Sequence, residues 1–466
     1  MRHSTISVGG AGTVRRSSAA RRPLEWCRGH ATWLVAVVFF TAMYWPFMRK
    51  GEDGEWRKCF LRAAQRLQSG QIIHRLYEPN TYAYPPAMAM FAVPLAGIPF
   101  RWSLTAWYAV NVVAMATAVV YSWRLIGGPA LADLARSWSH VFWLGLFLGS
   151  RFLVAPLENQ QFDVVITACL LAGCMALSRG KDTAAALWLG TATAMKCTPL
   201  LFAPYLIWRR KIGAAALLVL VAVALNRLPD FLWPKVDGGS YLADWVGTFL
   251  VKVGRSAPGV WESDLILNQS LSGLLNRLVQ AGLPLTTSDL PSALTRLSPE
   301  TSLAIRLLTY GFSIALVGMT AWSFGAPAAM VDVDQGNRAN GWSSIRTAIE
   351  ASAVVCLMLL LSPMSSKAHY VVLVLPCMLL ARAVVEKHLR GMAWVPLLLL
   401  FGPLTAKGIT GKALGDLLLA WGLPTWFTIV ALVAVWRLLA MLKSPPRQPL
   451  YSALPSLHTT SLHVGR

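Results

Sequence analysis

The sequence predicts an all-α polytopic membrane protein, and three observations predict it. Hydrophobic residues make up 55% of the 466 residues, charged residues only 14%, and mean hydropathy is +0.51. A soluble domain of this size carries nearer a quarter charged residues. Apolar stretches of about 16–25 residues, each able to cross the hydrocarbon, recur from Ala31 to the C-terminal region. Clusters of Lys and Arg separate those stretches.

The formal charge of +21 belongs with that reading. Arg2, Arg15, Arg16, Arg21, Arg22 and Arg28 crowd the N-terminus, and Arg437, Lys443, Arg447 and Arg466 mark the tail. Charge beside spans is the positive-inside signal, and its partner is anionic lipid rather than nucleic acid. No zinc-finger spacing or P-loop accompanies it. The seven cysteines mostly fall inside apolar segments, which gives no disulfide framework and no metal site. The Arg- and Ser-rich start with its apolar run from Ala31 reads as an uncleaved signal anchor.

Basic marks at Arg22 to Arg28, Arg124 with Arg136, Arg179 with Lys181, Arg209 to Lys211, Arg382 with Lys387 and Arg390, and the tail should share the cytoplasmic side. An even number of crossings must then separate any two of them. The first span, at about 31–46, runs outward, and 102–124 returns. Spans at 138–152 and 163–178 form an outward-and-back pair. Spans at 212–227, 304–324, 347–362, 368–385, 391–404 and 416–441 follow, for about twelve crossings in all. The expected organisation is a basic cytoplasmic tail (1–30), one membrane domain (31–442) with outer loops at about 47–101 and 228–303, and a disordered cytoplasmic tail (443–466).

Two segments resist this scheme. "TYAYPPAMAMFAVPLAGIPF", Thr81 to Phe100, is apolar but carries four prolines, and parity forbids it a full crossing. It is expected as a short or re-entrant helix covered by protein on the outer side. The stretch between Lys181 and Arg209 is too long for one crossing and is interrupted at Lys196-Cys-Thr-Pro199. Two half-helices meeting near Lys196 are expected, an arrangement that builds polar sites in membranes.

On this topology every polar cluster faces outward. "GEDGEW" offers Glu52, Asp53 and Glu55 as general bases for an acceptor hydroxyl, or as a solvated loop. "FLRAAQRLQSGQ" after it has helical periodicity and suits the membrane surface. Lys196 among apolar residues is expected to pair with an anion, a bound phosphate or a structural carboxylate, or to snorkel outward. Lys367 and His369 of "LSPMSSKAHY" can both donate to a leaving phosphate, with Tyr370 beside them. "ENQQFD" offers Glu158, Gln160, Gln161 and Asp163, and "LNQSL" offers Asn268 and Gln269. Both pairs suit sugar hydroxyls or helix capping. No metalloprotease, hydrolase or kinase signature is present.

The order of an acidic first outer loop, "AAQRLQSG", "YAYPPAMAMFAVPLAGIP", "NQQFD", "GTATAMKCTPLLFAPYLIWRR", "LNQSLSG" and "LSPMSSKAHY" resembles the polytopic glycosyltransferases of family 87, of the GT-C class, from about residue 50 to 385. That resemblance implies a GT-C-like helix bundle with a long first outer loop and re-entrant or broken helices. It implies inverting transfer of a sugar, often mannose, from a polyprenyl-phosphate donor on the outer face of the plasma membrane. No metal or other cofactor is implied, and the lipid-linked sugar is a substrate. The catalytic acid falls in loop one, on Asp53 or Glu55. The family's glutamine-x-asparagine pair stands here as Gln161 and Asp163.

The expected enzyme binds the donor phosphate with Lys196, Lys367 and His369, and lines its substrate groove with Tyr82, Tyr84, Gln161, Asp163, Asn268, Gln269 and Tyr370. Its partners are the bilayer, the polyprenyl-phosphate sugar and a lipid-linked or cell-envelope glycan acceptor, with no nucleic acid. A lipid-sugar flippase or transporter is the alternative. It would require inverted repeats and polar residues along an inward path, and neither is evident.

Overall fold

The computed structural model describes residues 21–75, 78–131, 136–251, 266–281, 299–325, 339–389 and 394–443. The expected tail at 443–466 and the first twenty residues of the N-terminal tail lie outside them, as do parts of the loops at 228–303 and 325–346. Among the described residues all regular structure is helical. Seven helices are long and apolar enough to cross a membrane: Phe100–Leu125, Ser137–Asn159, Ile212–Leu232, Glu300–Phe324, Ser344–Leu361, Lys367–Val385 and Leu423–Leu442. The chain is a multi-pass membrane protein.

The helices used below are α1 (Arg21–Arg49), α2 (Arg62–Gln68), α3 (Pro86–Ala96), α4 (Phe100–Leu125), α5 (Arg136–Asn159), α6 (Asp163–Ser178), α7 (Asp182–Met195), α8 (Phe202–Trp208) and α9 (Ile212–Leu232). Further along the chain come α10 (Leu271–Ala281), α11 (Pro299–Phe324), α12 (Ala339–Leu361), α13 (Val374–Val385), α14 (Trp394–Leu404) and α15 (Leu423–Lys443). Helix α7 packs between α6 and α9, α4 lies against α6, α5 against α13, and α12 against α15.

Both irregular segments have the expected form. The proline-rich stretch is the short helix α3, started by Pro86 at its first position, where a missing N–H costs nothing. After α7 the chain is extended at Lys196 (φ −155°, ψ 130°), makes a 3-10 turn over Thr198–Leu201 and resumes as α8. Pro199 cannot donate to the preceding turn, so the helix ends there. In a membrane the freed backbone groups need partners. Asn226 of α9 supplies two of them: its Oδ1 accepts from the Ala87 amide at 3.0 Å, and its Nδ2 donates to the Ala194 carbonyl at 3.2 Å. One buried amide thus closes the start of α3 and the broken end of α7.

Four expectations are corrected. The helix after loop one is not a surface helix, because Phe60, Leu61, Ala63, Ala64 and Leu67 are buried and α2 packs on α3. Helix α5 continues through Pro156 to Asn159, well past the expected end at 152. The expected span at 391–404 is α14, whose 11 residues rise about 16 Å and cannot cross a hydrocarbon core of about 30 Å alone. The expected span at 416–441 is divided at Gly422 (φ 73°), and only α15 beyond it is long.

The basic marks near Arg124, Arg209 to Lys211 and Arg382 gather at one end, while Arg390, Arg447 and Arg466 lie outside the described residues. Ser344 at the start of α12 donates to the Leu125 carbonyl at 2.9 Å, Arg382 donates to the Ile126 carbonyl, and Lys211 pairs with Asp182 at 2.6 Å. Arg209 and Glu350, each 1% exposed, form a buried ion pair joined by Tyr205 and Arg346, both at 2.9 Å from Glu350. The polar clusters of loop one, 160–163, 196 and 369 lie at the opposite ends of the same helices.

Replacing Asn226 with Leu keeps the volume and strands the Ala87 N–H and the Ala194 carbonyl. Each stranded group should cost about 1–3 kcal/mol. A lower thermal unfolding midpoint in detergent is the expected outcome, and an unchanged midpoint would contradict the capping role.

Candidate active site

Loop one is held down by aromatic packing. Trp56 is fully buried, stacks on Trp107 of α4 with centroids 4.5 Å apart and planes at 10°, and donates to Ser103 Oγ at 3.0 Å. Phe162 packs on Trp107 at 4.3 Å and edge-on to Phe60 at 4.8 Å. Two segments a hundred residues apart, loop one and the α5–α6 link, therefore meet through one aromatic nest. A π-helical turn over Trp56–Leu61 follows Glu55 and offsets the register of α2.

The link itself turns sharply. The Gln161 amide bonds to the Pro156 carbonyl and the Gln160 amide to Leu157, which ends α5 in a Schellman motif with Gln160 left-handed at φ 59°. A glutamine in that conformation costs about 1–2 kcal/mol. Its contacts hold it there: Gln160 Nε2 donates to the Phe47 carbonyl at 2.8 Å, and its own carbonyl accepts from Trp107 Nε1 at 3.0 Å. Gly54 lies flat against this side chain, and a Cβ there would sit 1.8 Å from Gln160 Oε1.

The turn aims Gln161 at loop one and Asp163 into the bundle. Gln161 Nε2 lies 2.8 Å from both oxygens of Glu55. Burial pushes the Glu55 carboxyl above its ordinary value of 4.5, and the nearby Asp163 charge adds to this against the bond from Gln161. Asp53 is different: its side chain is 88% exposed, and a 2.7 Å bond from Lys58 lowers its carboxyl below the usual range.

Asp163, 5% exposed, accepts from Lys196 Nζ at 2.7 Å, so the helix break and the start of α6 are joined by a buried ion pair. The Tyr84 ring lies under the ammonium at 5.9 Å. The second oxygen of Asp163 has no hydrogen-bond partner among the described residues, and His369 Nε2 is 4.0 Å from it. The Ser366 amide donates to His369 Nδ1 at 3.1 Å, which leaves the proton of the neutral ring on Nε2. Asp163, Lys196 and His369 line a small cavity with Thr198, Ser362 and Ser365, and Ile166, Leu170, Met358, Leu359 and Val372 complete its lining. The lining is part polar and part apolar.

The sequence-predicted residues separate into two groups. Glu55, Gln161, Asp163, Lys196, His369 and Tyr84 come together. Tyr82 lies behind Tyr84 with its hydroxyl bonded to the Pro85 carbonyl at 2.8 Å. Lys367 is not among the cavity's lining residues, and its charged neighbours are Arg151, Lys407, Glu158 and Asp416. Asn268 bonds the Pro363 carbonyl at 2.9 Å and the Ser365 amide at 3.2 Å, while Gln269 donates to the Leu419 carbonyl at 2.8 Å. Tyr370 donates to the Gln269 carbonyl. Asn268, Gln269 and Tyr370 thus brace the wall that carries Ser365. Sequence reasoning passed over Trp56 and Phe162 as anchors, and Thr198, Ser362 and Ser365 as lining. The only available signal was their position inside motifs already singled out.

The fold and site define a polytopic membrane protein with a carboxylate-bearing polar cavity at one end of its bundle. Residues 82–363 match the model of Glycosyltransferase family 87, and the chain belongs to that family. It is similar to the "Polyprenol-phosphate-mannose-dependent alpha-(1-2)-phosphatidylinositol pentamannoside mannosyltransferase" of Mycobacterium tuberculosis (strain CDC 1551 / Oshkosh), 27% identical over 201 residues. The match covers 43% of this chain and 43% of that protein, less than half of either.

Gly54→Ala should displace Gln160 and, with it, the loop that carries Glu55. The expected outcome is a large loss of transfer activity with a modest loss of stability, about 1–3 kcal/mol for one buried hydrogen bond. Side-by-side activity and thermal-melt measurements check it.

Proposed function

We propose that the protein transfers a hexosyl group, mannosyl by analogy with its relative, from a polyprenyl-phosphate donor to a hydroxyl of a lipid-linked or cell-envelope glycan. Transfer proceeds with inversion at the outer face of the plasma membrane, and no metal or organic cofactor takes part. The observation that carries this reading is Glu55, a half-buried carboxylate clamped by Gln161 beside the Asp163–Lys196 pair.

Glu55 takes the proton from the acceptor hydroxyl as its oxygen attacks C1 of the donor sugar. The bond from C1 to the phosphate oxygen breaks, and its electron pair leaves with the polyprenyl phosphate. Lys196, with one of its three ammonium protons held by Asp163, and the Nε2–H of His369 stabilise the departing charge from fixed positions. Lys367 gives longer-range positive charge. Phosphate is already a fair leaving group, so positioning and electrostatics supply most of the rate. The apolar part of the lining suits the start of the polyprenyl chain, and Tyr84 supports Lys196 from below. Asp53, exposed and paired with Lys58, is the less suitable base.

Glu55→Gln should reduce transfer roughly 10²–10⁴-fold, the usual contribution of a general base. Asp53→Asn should stay within a few-fold of wild type. The assay uses purified protein in nanodiscs, radiolabelled polyprenyl-phosphate mannose and membrane lipid extract. Movement of intact donor lipid without transfer would support the flippase instead.

The base must be ionised to act, and its carboxyl lies above 4.5. Activity should therefore be full at higher pH and fall as pH drops through a value above 4.5. Glu55→Gln should abolish that acid limb in the residual rate. A limb at or below 4.5 would argue that an exposed carboxylate does the work.

A further inference from the structure

A second cavity lies at the other end of the bundle and has no place in the mechanism above. It is a half-open groove between the first half of α12, the end of α13 and the last turns of α15, and Ile349, Leu379, Leu438 and Leu442 supply apolar walls. Arg382, Glu386 and His388 close its polar side. These three are mutually satisfied, with Arg382 bonded to Glu386 at 2.8 Å and His388 to Glu386 at 3.0 Å. The single acidic group of the lining is thereby neutralised within the protein.

Two further cations stand beside the lining. Lys387 and Arg437 are exposed beside lining residues, Lys387 between Glu386 and His388 and Arg437 next to Leu438. Neither has a salt-bridge carboxylate among the described residues. Arg437 also stands one helical turn before Met441, a lining residue, so both share one side of α15. The turn after α13 places Lys387 left-handed at φ 61°, and the His388 amide bonds back to the Ala383 carbonyl at 2.9 Å. That Schellman ending fixes where the Lys387 side chain leaves the backbone.

The cavity thus offers walls for a hydrocarbon chain and two uncompensated cations at the level of the helix ends. In a membrane, that combination matches one kind of molecule: basic pockets between membrane helices bind acidic lipid head groups. We propose that this cavity binds an anionic phospholipid, one acyl chain lying along Leu379, Leu438 and Leu442 and the phosphate held by Lys387 and Arg437. The site is independent of the glycosyl-transfer chemistry and lies at the basic end of the bundle, opposite Glu55 and Lys196.

The test uses the full-length protein purified and delipidated in detergent, with phosphatidylglycerol or phosphatidylcholine of identical acyl chains added back. Native mass spectrometry reads the number of lipids retained, and thermal melting reads their effect on the unfolding midpoint. Two cations acting on one phosphate should favour phosphatidylglycerol roughly tenfold to thirtyfold. Lys387→Gln with Arg437→Gln, both exposed positions outside the core, should remove that preference while the lipid-free midpoint stays unchanged. Ala383→Leu, which fills the cavity, should lower retention of both lipids. Equal retention of the two lipids by the wild type, or a preference that survives the double substitution, would overturn the proposal.

Discussion

The buried ion pair between Asp163 and Lys196 is the interaction on which the site end of the bundle depends. A lysine in an apolar helix bundle is costly unless an anion meets it, and an aspartate at the start of an apolar helix is equally costly alone. Each needs the other at 2.7 Å, and to reach that distance α7 has to stop at Met195 and turn its next residue extended. Helix breaking, normally a liability in lipid, is here what lets the ammonium enter the site. Asn226 makes the break tolerable by capping the Ala194 carbonyl and the Ala87 amide together.

Loop one then docks onto this pair through Trp56, Phe60, Trp107 and Phe162. The aromatic nest does not touch the chemistry. It fixes the distance between Glu55 and Gln161, and Gln161 is two residues from Asp163. Burial of the nest and the ion pair are therefore coupled: a shift of the α5–α6 link would move a carboxylate clamp and a lysine partner at once. This explains why Gln160 is held in a strained left-handed conformation and why Gly54 has no room for a methyl group.

The charge layout gives the two ends different characters. At the basic end, the carboxylates Glu350 and Glu386 serve arginines. At the opposite end, Glu55 and Asp163 share one lysine, Lys196, which gives a single hydrogen bond to Asp163. Under the proposed function, a phosphate that gains charge as it leaves would meet donors already oriented, and an acceptor hydroxyl would meet a carboxylate whose burial raises its proton affinity.

Much of this was legible in the sequence. Composition and the spacing of basic marks determined that the chain is a multi-pass helical protein, because hydrophobic length and charge are read directly by the bilayer. The prolines at 85, 86, 94 and 199 determined a short helix and a broken one, because a missing N–H acts locally. Motif order determined the family resemblance. What the sequence left open were matters of direction. Asp53 and Glu55 are two residues apart and chemically alike, and only the fold of loop one turns one to solvent and the other to Gln161. Asn268, Gln269 and Tyr370 looked like sugar ligands, but contacts with residues about a hundred or more positions away turn them to backbone. Local physics decides where a helix ends, whereas the tertiary structure alone decides which polar side chains share a cavity.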